Sequence, residues 1–204
     1  MNDLHQALSD IASIRRQMAR SAIFRGYGPA TIAATSVFAL AAAVLQTQWI
    51  ADPMQHLTAY LTLWIATAAL SATLIGAQMY TRSRRLHSSM SGEMIHLAVA
   101  QFLPSAGAGL LLTFVLLHYV PQASWMLPGL WQIIFSLGIF ASCRFLPRHM
   151  AVAGFWYLAT GLACIALGDS QSLSPWLMGV PYAIGQILIA AILLFTSKEI
   201  DDEI

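Results

Sequence analysis

Long stretches without a charged side chain are the feature that most restricts what this chain can fold into. Five such runs contain no Asp, Glu, Lys or Arg and are rich in apolar residues. A helix that crosses a membrane needs about 20 mostly apolar residues, and every run is long enough for one. The runs are Gly26–Ala51, Pro53–Thr81, Met94–Cys143, His149–Gly168 and Ser170–Ser197. They predict a protein that crosses a bilayer several times.

Composition excludes the soluble alternatives. Of the 204 residues, 58% are hydrophobic and 9% are charged, whereas soluble domains carry about 45–50% apolar and about 25% charged residues. So few charges cannot cover a soluble domain, which excludes an ordinary cytosolic enzyme and a disordered protein. The 10 basic and 9 acidic residues nearly cancel, so nucleic acid is not expected as a partner. Cys143 and Cys164 lie in apolar stretches and predict neither a disulfide framework nor a zinc site.

The number of spans follows from the longest run. Met94–Cys143 is too long for one helix, and Pro121–Ser124 supplies a turn in its middle. We therefore predict an all-α polytopic membrane protein with six transmembrane helices, forming one bundle over residues 26–198. The spans are 29–48, 57–79, 94–118, 125–145, 149–168 and 176–197. An acidic cytoplasmic tail would follow over 199–204.

The basic residues predict the orientation. With six spans, all 10 Lys and Arg residues fall before span one, in alternate loops, or after span six. These segments all lie on one side of the membrane, and basic residues mark the cytoplasmic side. We therefore expect a multi-pass protein of the inner (cytoplasmic) membrane with both termini in the cytoplasm.

Residues 1–25 are predicted to form a separate amphipathic helix. Leu4, Ala7, Ile11, Ile14 and Met18 recur at spacings of three and four, which places them on one helical face. This face would lie on the inner leaflet of the lipid bilayer. The alternative is a seam that pairs with another subunit, and we expect a homo-oligomer.

Spans three and six share a sequence pattern. The segment from Pro104 aligns without gaps to the segment from Pro181, which favours an inverted 3+3 repeat of the transporter type. The alternative is chance similarity between helices rich in Ala and Leu. Pro104 and Gly109 in span three, and Pro181 in span six, would interrupt their helices, a feature typical of transport sites. Gly109 is also predicted to be a close helix contact.

Deep polar side chains complete a predicted ligand cavity between spans three and six. Glutamine amides within the membrane need partners, so they either line such a cavity or make hydrogen bonds between helices. A tryptophan beside them could stack on a small-molecule ligand or belong to the core. The predicted cavity residues are Gln101, Pro104, Gly109, Trp131, Gln132, Pro181 and Gln186.

Histidines suggest two further sites, each with a simpler alternative. Asp52, His56, His118 and Asp169 lie at the outer rim, where this donor set would suit a divalent transition metal. Rim histidines also commonly face water and headgroups without a metal. His96 and His149 lie near the inner face, where two facing histidines could hold haem. An interfacial role for both is the alternative.

Function is less constrained than architecture. The sequence contains no nucleotide-binding loop, nucleophile elbow or zinc-protease helix, so no enzymatic activity is predicted. No Asp or Glu lies deep in a span, which argues against an ion-coupled pump. We expect a transporter-like permease or channel-like subunit for a neutral or apolar solute. The alternative is a non-transport sensor or partner-binding subunit that holds a haem, a quinone or a metal.

Overall fold

The computed structural model describes residues 28–86, 89–143, 147, 149–168 and 173–202, and describes side chains over 28–81, 102–143, 147, 149–168 and 173–196. The predicted amphipathic helix over 1–25 lies outside these residues, as do Asp169 and the last two residues of the predicted tail. The side chains of His96 and Gln101 are outside them too.

Six α-helices account for the predicted spans. Within the described residues there is no strand, and one six-residue 3₁₀ helix, Pro121–Met126, occupies the predicted turn. The helices are α1 (Pro29–Trp49), α2 (Leu57–Leu86), α3 (Ser89–Tyr119), α4 (Leu127–Ser142), α5 (Met150–Ala166) and α6 (Pro175–Asp202). Five apolar helical stretches are long enough to cross a membrane, the 3₁₀ helix being counted with α4, and the 17-residue α5 is a shorter apolar helix. The all-α, polytopic membrane fold is therefore confirmed.

Helix boundaries follow local chemistry. Proline fixes φ and has no N–H to leave unpaired in a first turn, and Pro29 opens α1 for this reason. Hydroxyl side chains inside the helices bond back to their own backbone, as Thr35 does to the Ile32 carbonyl at 2.6 Å. At the other end of the chain α6 continues to Asp202, so its helix includes most of the predicted tail.

The helices pack in chain order as a ring. The most extensive contacts join α1 to α6 and α4 to α5, and smaller ones join α3 to α4, α1 to α2 and α5 to α6. Only a few contacts join α2 to α3, so the ring is loosely closed on that side. The predicted pairing of spans three and six is not found, because α3 and α6 are not ring neighbours and share no extensive packing.

Glycines allow the closest helix crossing. A methyl group at Gly161 of α5 would lie 2.7 Å from the Gly129 carbonyl oxygen of α4, and one at Gly129 would lie 2.6 Å from the Gly161 carbonyl oxygen. The two backbones therefore touch. The prediction of a close contact at Gly109 is wrong, because a methyl group there would be 4.0 Å from its nearest neighbour, Ile134.

Burial divides the helices into two groups. Buried residues make up 39% of the most apolar stretch of α1 and 44% of the corresponding stretches that contain α4 and α6. The same fraction is 17% for α2 and 6% for α3. Helices α1, α4, α5 and α6 therefore form the packed core, and α2 and α3 lie at its edge with most of their surface uncovered.

Candidate functional site

The break in α6 at Pro181 is repaired by a side chain from α4. Proline has no N–H, so the carbonyl four residues earlier, that of Leu177, loses its helical partner. Gln132 donates its Nε2 to this oxygen at 2.9 Å. The sequence placed Gln132 and Pro181 in one site, and the structure brings them together through this bond, which is the interhelical alternative rather than a ligand contact.

Two side chains of α5 bond to the same part of α6. Trp156 donates its indole Nε1 to the Pro181 carbonyl at 2.9 Å, and the Tyr157 hydroxyl lies 3.4 Å from the Tyr182 carbonyl. Gln186 in turn lies 3.4 Å from the Tyr157 hydroxyl. Contacts of 3.4 Å are long for hydrogen bonds and correspondingly weak. Gln186 therefore faces α5, away from α3.

Gln46 is a buried polar residue that sequence reasoning missed. Its Oε1 accepts from the Trp64 indole at 2.8 Å, and its Nε2 donates to the Leu173 carbonyl at 2.8 Å. The side chain is fully buried and ties α1 to α2 and to the segment before α6. Its position near the end of span one suggested a rim residue, and only the register of α1 against its neighbours reveals the burial.

Three buried polar atoms have no hydrogen-bond partner among the described residues. They are the Tyr60 hydroxyl, the Ser124 hydroxyl and Gln132 Oε1. All three residues lie in the half of the bundle where α1 ends and α2 and α4 begin. An unpaired buried polar atom costs about 1–3 kcal/mol, so this half of the interior is the more polar and the less completely satisfied.

The other predicted cavity residues are dispersed. Trp131 donates its indole to the Thr113 hydroxyl at 2.8 Å, which ties α4 to α3. Pro104 is exposed on α3, and Gly109 has room for a side chain. The structure therefore keeps the α3 residues apart from Pro181 and Gln186.

The proposed metal and haem ligands are not gathered either. In the part of the chain with described side chains, no three His, Cys, Asp or Glu residues come together as a metal site. Asp52 accepts hydrogen bonds from the Met54 and Gln55 backbone and so shapes its own turn. His56 and His118 are exposed, and His118 stacks on Phe114 with ring centroids 5.7 Å apart. His149 is exposed beside the start of α5.

An open groove of about 580 Å³ lies where the ring is loosely closed. Its α2 wall is formed by Leu57, Leu61, Ile65 and Ala69, together with neighbouring small residues, and Leu117 contributes from α3. This is the largest concave feature on the edge of the bundle that the described helices form, and it opens outward rather than into the ring.

The uncovered faces of α2 and α3 differ in composition. Six exposed residues of α2 recur at alternating spacings of three and four and all are small: Ala59, Thr62, Ala66, Ala69, Thr73 and Gly76. On α3 the exposed residues are large, and Leu103, Leu111 and Phe114 are each more than half exposed. We call the six small residues the open face of α2.

These features define a polytopic helical membrane protein whose ring interior is filled by side chains and whose uncovered surface is concentrated on two helices. Compared with known families, curated proteins and solved structures, the chain matches no family model, no curated protein and no solved structure. Function is therefore argued from the geometry of this chain alone.

Proposed function

We propose that the protein is a non-enzymatic membrane subunit that assembles with a second copy of itself through the open face of α2. The observation that carries the proposal is the contrast between α2 and the core helices. Only 17% of the most apolar stretch of α2 is buried, yet its uncovered face consists of small residues. Small residues on membrane helices favour close helix–helix contact, because they let the backbones approach.

The comparison with α3 separates this face from an ordinary lipid-facing surface. Helix α3 is even less buried, and it presents Leu and Phe side chains of the kind that match lipid tails. On α2 the hydroxyls of Thr62 and Thr73 donate to the carbonyls of Thr58 and Ala69, so they need no partner from outside the helix. The open face is thus smooth, and its polar groups are satisfied.

The spacing of the open face suits a second copy. Alternating steps of three and four are the pattern of a left-handed helix pair that crosses at about 20°. From Ala59 to Gly76 the face extends about 26 Å at 1.5 Å per residue, close to the hydrocarbon thickness of about 30 Å. The same face on both copies can pair with itself around a two-fold axis, which closes the assembly as a dimer.

Cysteine cross-linking in the bilayer tests this proposal. In a variant that lacks Cys143 and Cys164, cysteines replace Ala66, Ala69 or Thr73 on the open face, and Phe114 on α3 serves as the control. We expect disulfide-linked dimers from the three α2 positions and few from Phe114→Cys. Equal cross-linking at α2 and α3, or none at any α2 position, would contradict the proposal. Gly76→Leu should lower the dimer fraction of the otherwise native chain.

A permease for a neutral solute is the second candidate, and one observation favours it. The α6 break at Pro181 is held by donors from two other helices, and an unpaired amide oxygen of Gln132 lies beside it. Broken helices stabilised by side chains can reorganise during transport. Swelling of proteoliposomes in a neutral solute tests this function, and Pro181→Ala should slow the swelling. Unchanged swelling, or swelling equal to that of empty liposomes, would contradict it.

A further inference from the structure

We infer that the groove between α2 and α3 binds one hydrocarbon chain of a long-chain molecule with an uncharged head group. The groove is a separate feature from the proposed assembly: two of its wall residues, Ile65 and Leu117, are not part of the open face. The inference goes beyond the proposed function, because it assigns a ligand class to a surface that pairing through α2 does not require.

The length of the groove matches one leaflet of a bilayer. Its wall on α2 runs from Leu57, the first residue of the helix, to Ala69. This interval extends about 18 Å at 1.5 Å per residue. Half of a hydrocarbon core of about 30 Å is about 15 Å. A chain that enters from the end of the bundle where α2 begins would therefore lie in the groove over the depth of a leaflet.

The width of the groove selects a chain and rejects a helix. A volume of about 580 Å³ over about 18 Å corresponds to a cross-section of about 32 Å², or a width of about 6 Å. Carbon atoms in contact are about 4 Å apart, so a single hydrocarbon chain fits with little space left. A helix with its side chains is about 10–12 Å wide and could not enter.

The chemistry of the groove agrees with an apolar chain and an uncharged head. Leu57, Leu61, Ile65 and Leu117 supply aliphatic contacts, and the Thr62 hydroxyl is occupied by the Thr58 carbonyl at 2.8 Å. Neither the stretch Gly26–Thr81 nor the stretch Met94–Cys143 contains a Lys or Arg. The mouth therefore has no cation on either helix to favour a phosphate or carboxylate head group.

Photo-labelling of the full-length protein in lipid nanodiscs tests the inference. The probes are hexadecanol and phosphatidylglycerol, each carrying a diazirine on an acyl or alkyl chain, and labelled peptides are identified by mass spectrometry. We expect hexadecanol to label the α2–α3 segments above the level of the lipid-facing surface of α4, and phosphatidylglycerol to show no such preference. Ile65→Trp and Leu117→Trp, which fill the groove from opposite walls, should reduce the labelling to that level. Leu137→Trp, on an exposed position of α4, is the control and should leave it unchanged.

Three outcomes would overturn the inference. Labelling spread evenly over all exposed helices would make the groove ordinary lipid surface. Retained labelling in both groove variants, with melting temperatures like that of the native protein, would place the probe elsewhere. Equal preference for phosphatidylglycerol would show that the head group is not selected. Gly76→Leu separates this result from the proposed assembly, since it should lower dimerisation and leave the labelling intact.

Discussion

Replacing Gln132 should be costly only while residue 181 is a proline. The Gln132 amide donates to the Leu177 carbonyl at 2.9 Å, and this oxygen has no helical donor because Pro181 lacks an N–H. In Pro181→Ala the new N–H can bond to Leu177, so the amide becomes dispensable. We therefore expect Gln132→Met to destabilise the native protein and to have little effect in the Pro181→Ala background.

The magnitude follows from two opposing terms. Hydrogen bonds between membrane helices contribute about 0.6 kcal/mol on average and at most about 1.7 kcal/mol. Leaving the Leu177 carbonyl unpaired adds a desolvation cost, whereas removing Gln132 also removes its own unpaired Oε1. The net cost in the native protein should therefore be about 1 kcal/mol. Methionine is used because it is unbranched and fills the space of glutamine without a polar atom.

A double-mutant cycle measures this coupling. The four proteins are unfolded reversibly by sodium dodecyl sulfate in mixed micelles, and their free energies of unfolding are compared. Packing losses caused by Pro181→Ala occur in both arms and cancel. Gln186→Met is the matched control, since Gln186 contacts the Tyr157 hydroxyl rather than a carbonyl freed by proline. If Gln132→Met costs the same with and without Pro181, within about 0.3 kcal/mol, the explanation is refuted.

Three further predictions follow from individual contacts. Gly161→Ala should destabilise the protein by about 1–3 kcal/mol through backbone overlap, and Gly107→Ala, which meets nothing within 4 Å, should not; thermal unfolding compares them. Gln46→Leu should lower the melting temperature, because it leaves two buried partners unpaired, and a change of less than 1 °C would contradict this. Reporter fusions should read cytoplasmic at Ser89 and periplasmic at Gln171, and the reverse result would invalidate the positive-inside assignment.

The sequence predicted the helices well because their signal is local. Runs free of charge bounded the spans, and a turn at Pro121 divided the longest run at the point where the 3₁₀ helix lies. These features depend on the cost of placing charge and unpaired backbone in hydrocarbon, a cost that each segment bears alone. Helix ends were less accurate: α2 continues to Leu86 and α6 to Asp202, since neither helix has to end where the membrane does.

The candidate site was only partly predictable, because partners are a property of packing. The sequence singled out Gln132 as a deep polar residue, and the structure gives it a partner on α6. It did not single out Gln46, although the same cost of burying an unpaired amide applies to both. What distinguishes a buried glutamine from a rim glutamine is the rotation of its helix relative to the neighbours. Alanine-rich helices such as α1 encode that rotation weakly, since small side chains fit on any face.

The pairing of spans three and six was predicted from two prolines that the structure treats differently. Pro181 is buried, and its missing hydrogen bond is replaced by an amide from α4, so the break belongs to the packed core. Pro104 is exposed on the least buried helix, where no described side chain from another helix bonds to its turn. Similar sequences around a proline thus do not imply equivalent environments, because the proline fixes only which carbonyl is freed and the neighbouring helices decide what satisfies it. For this chain, that difference moves the argument for function away from a symmetric pair of broken helices and towards α2 and α3, the two helices that the fold leaves uncovered.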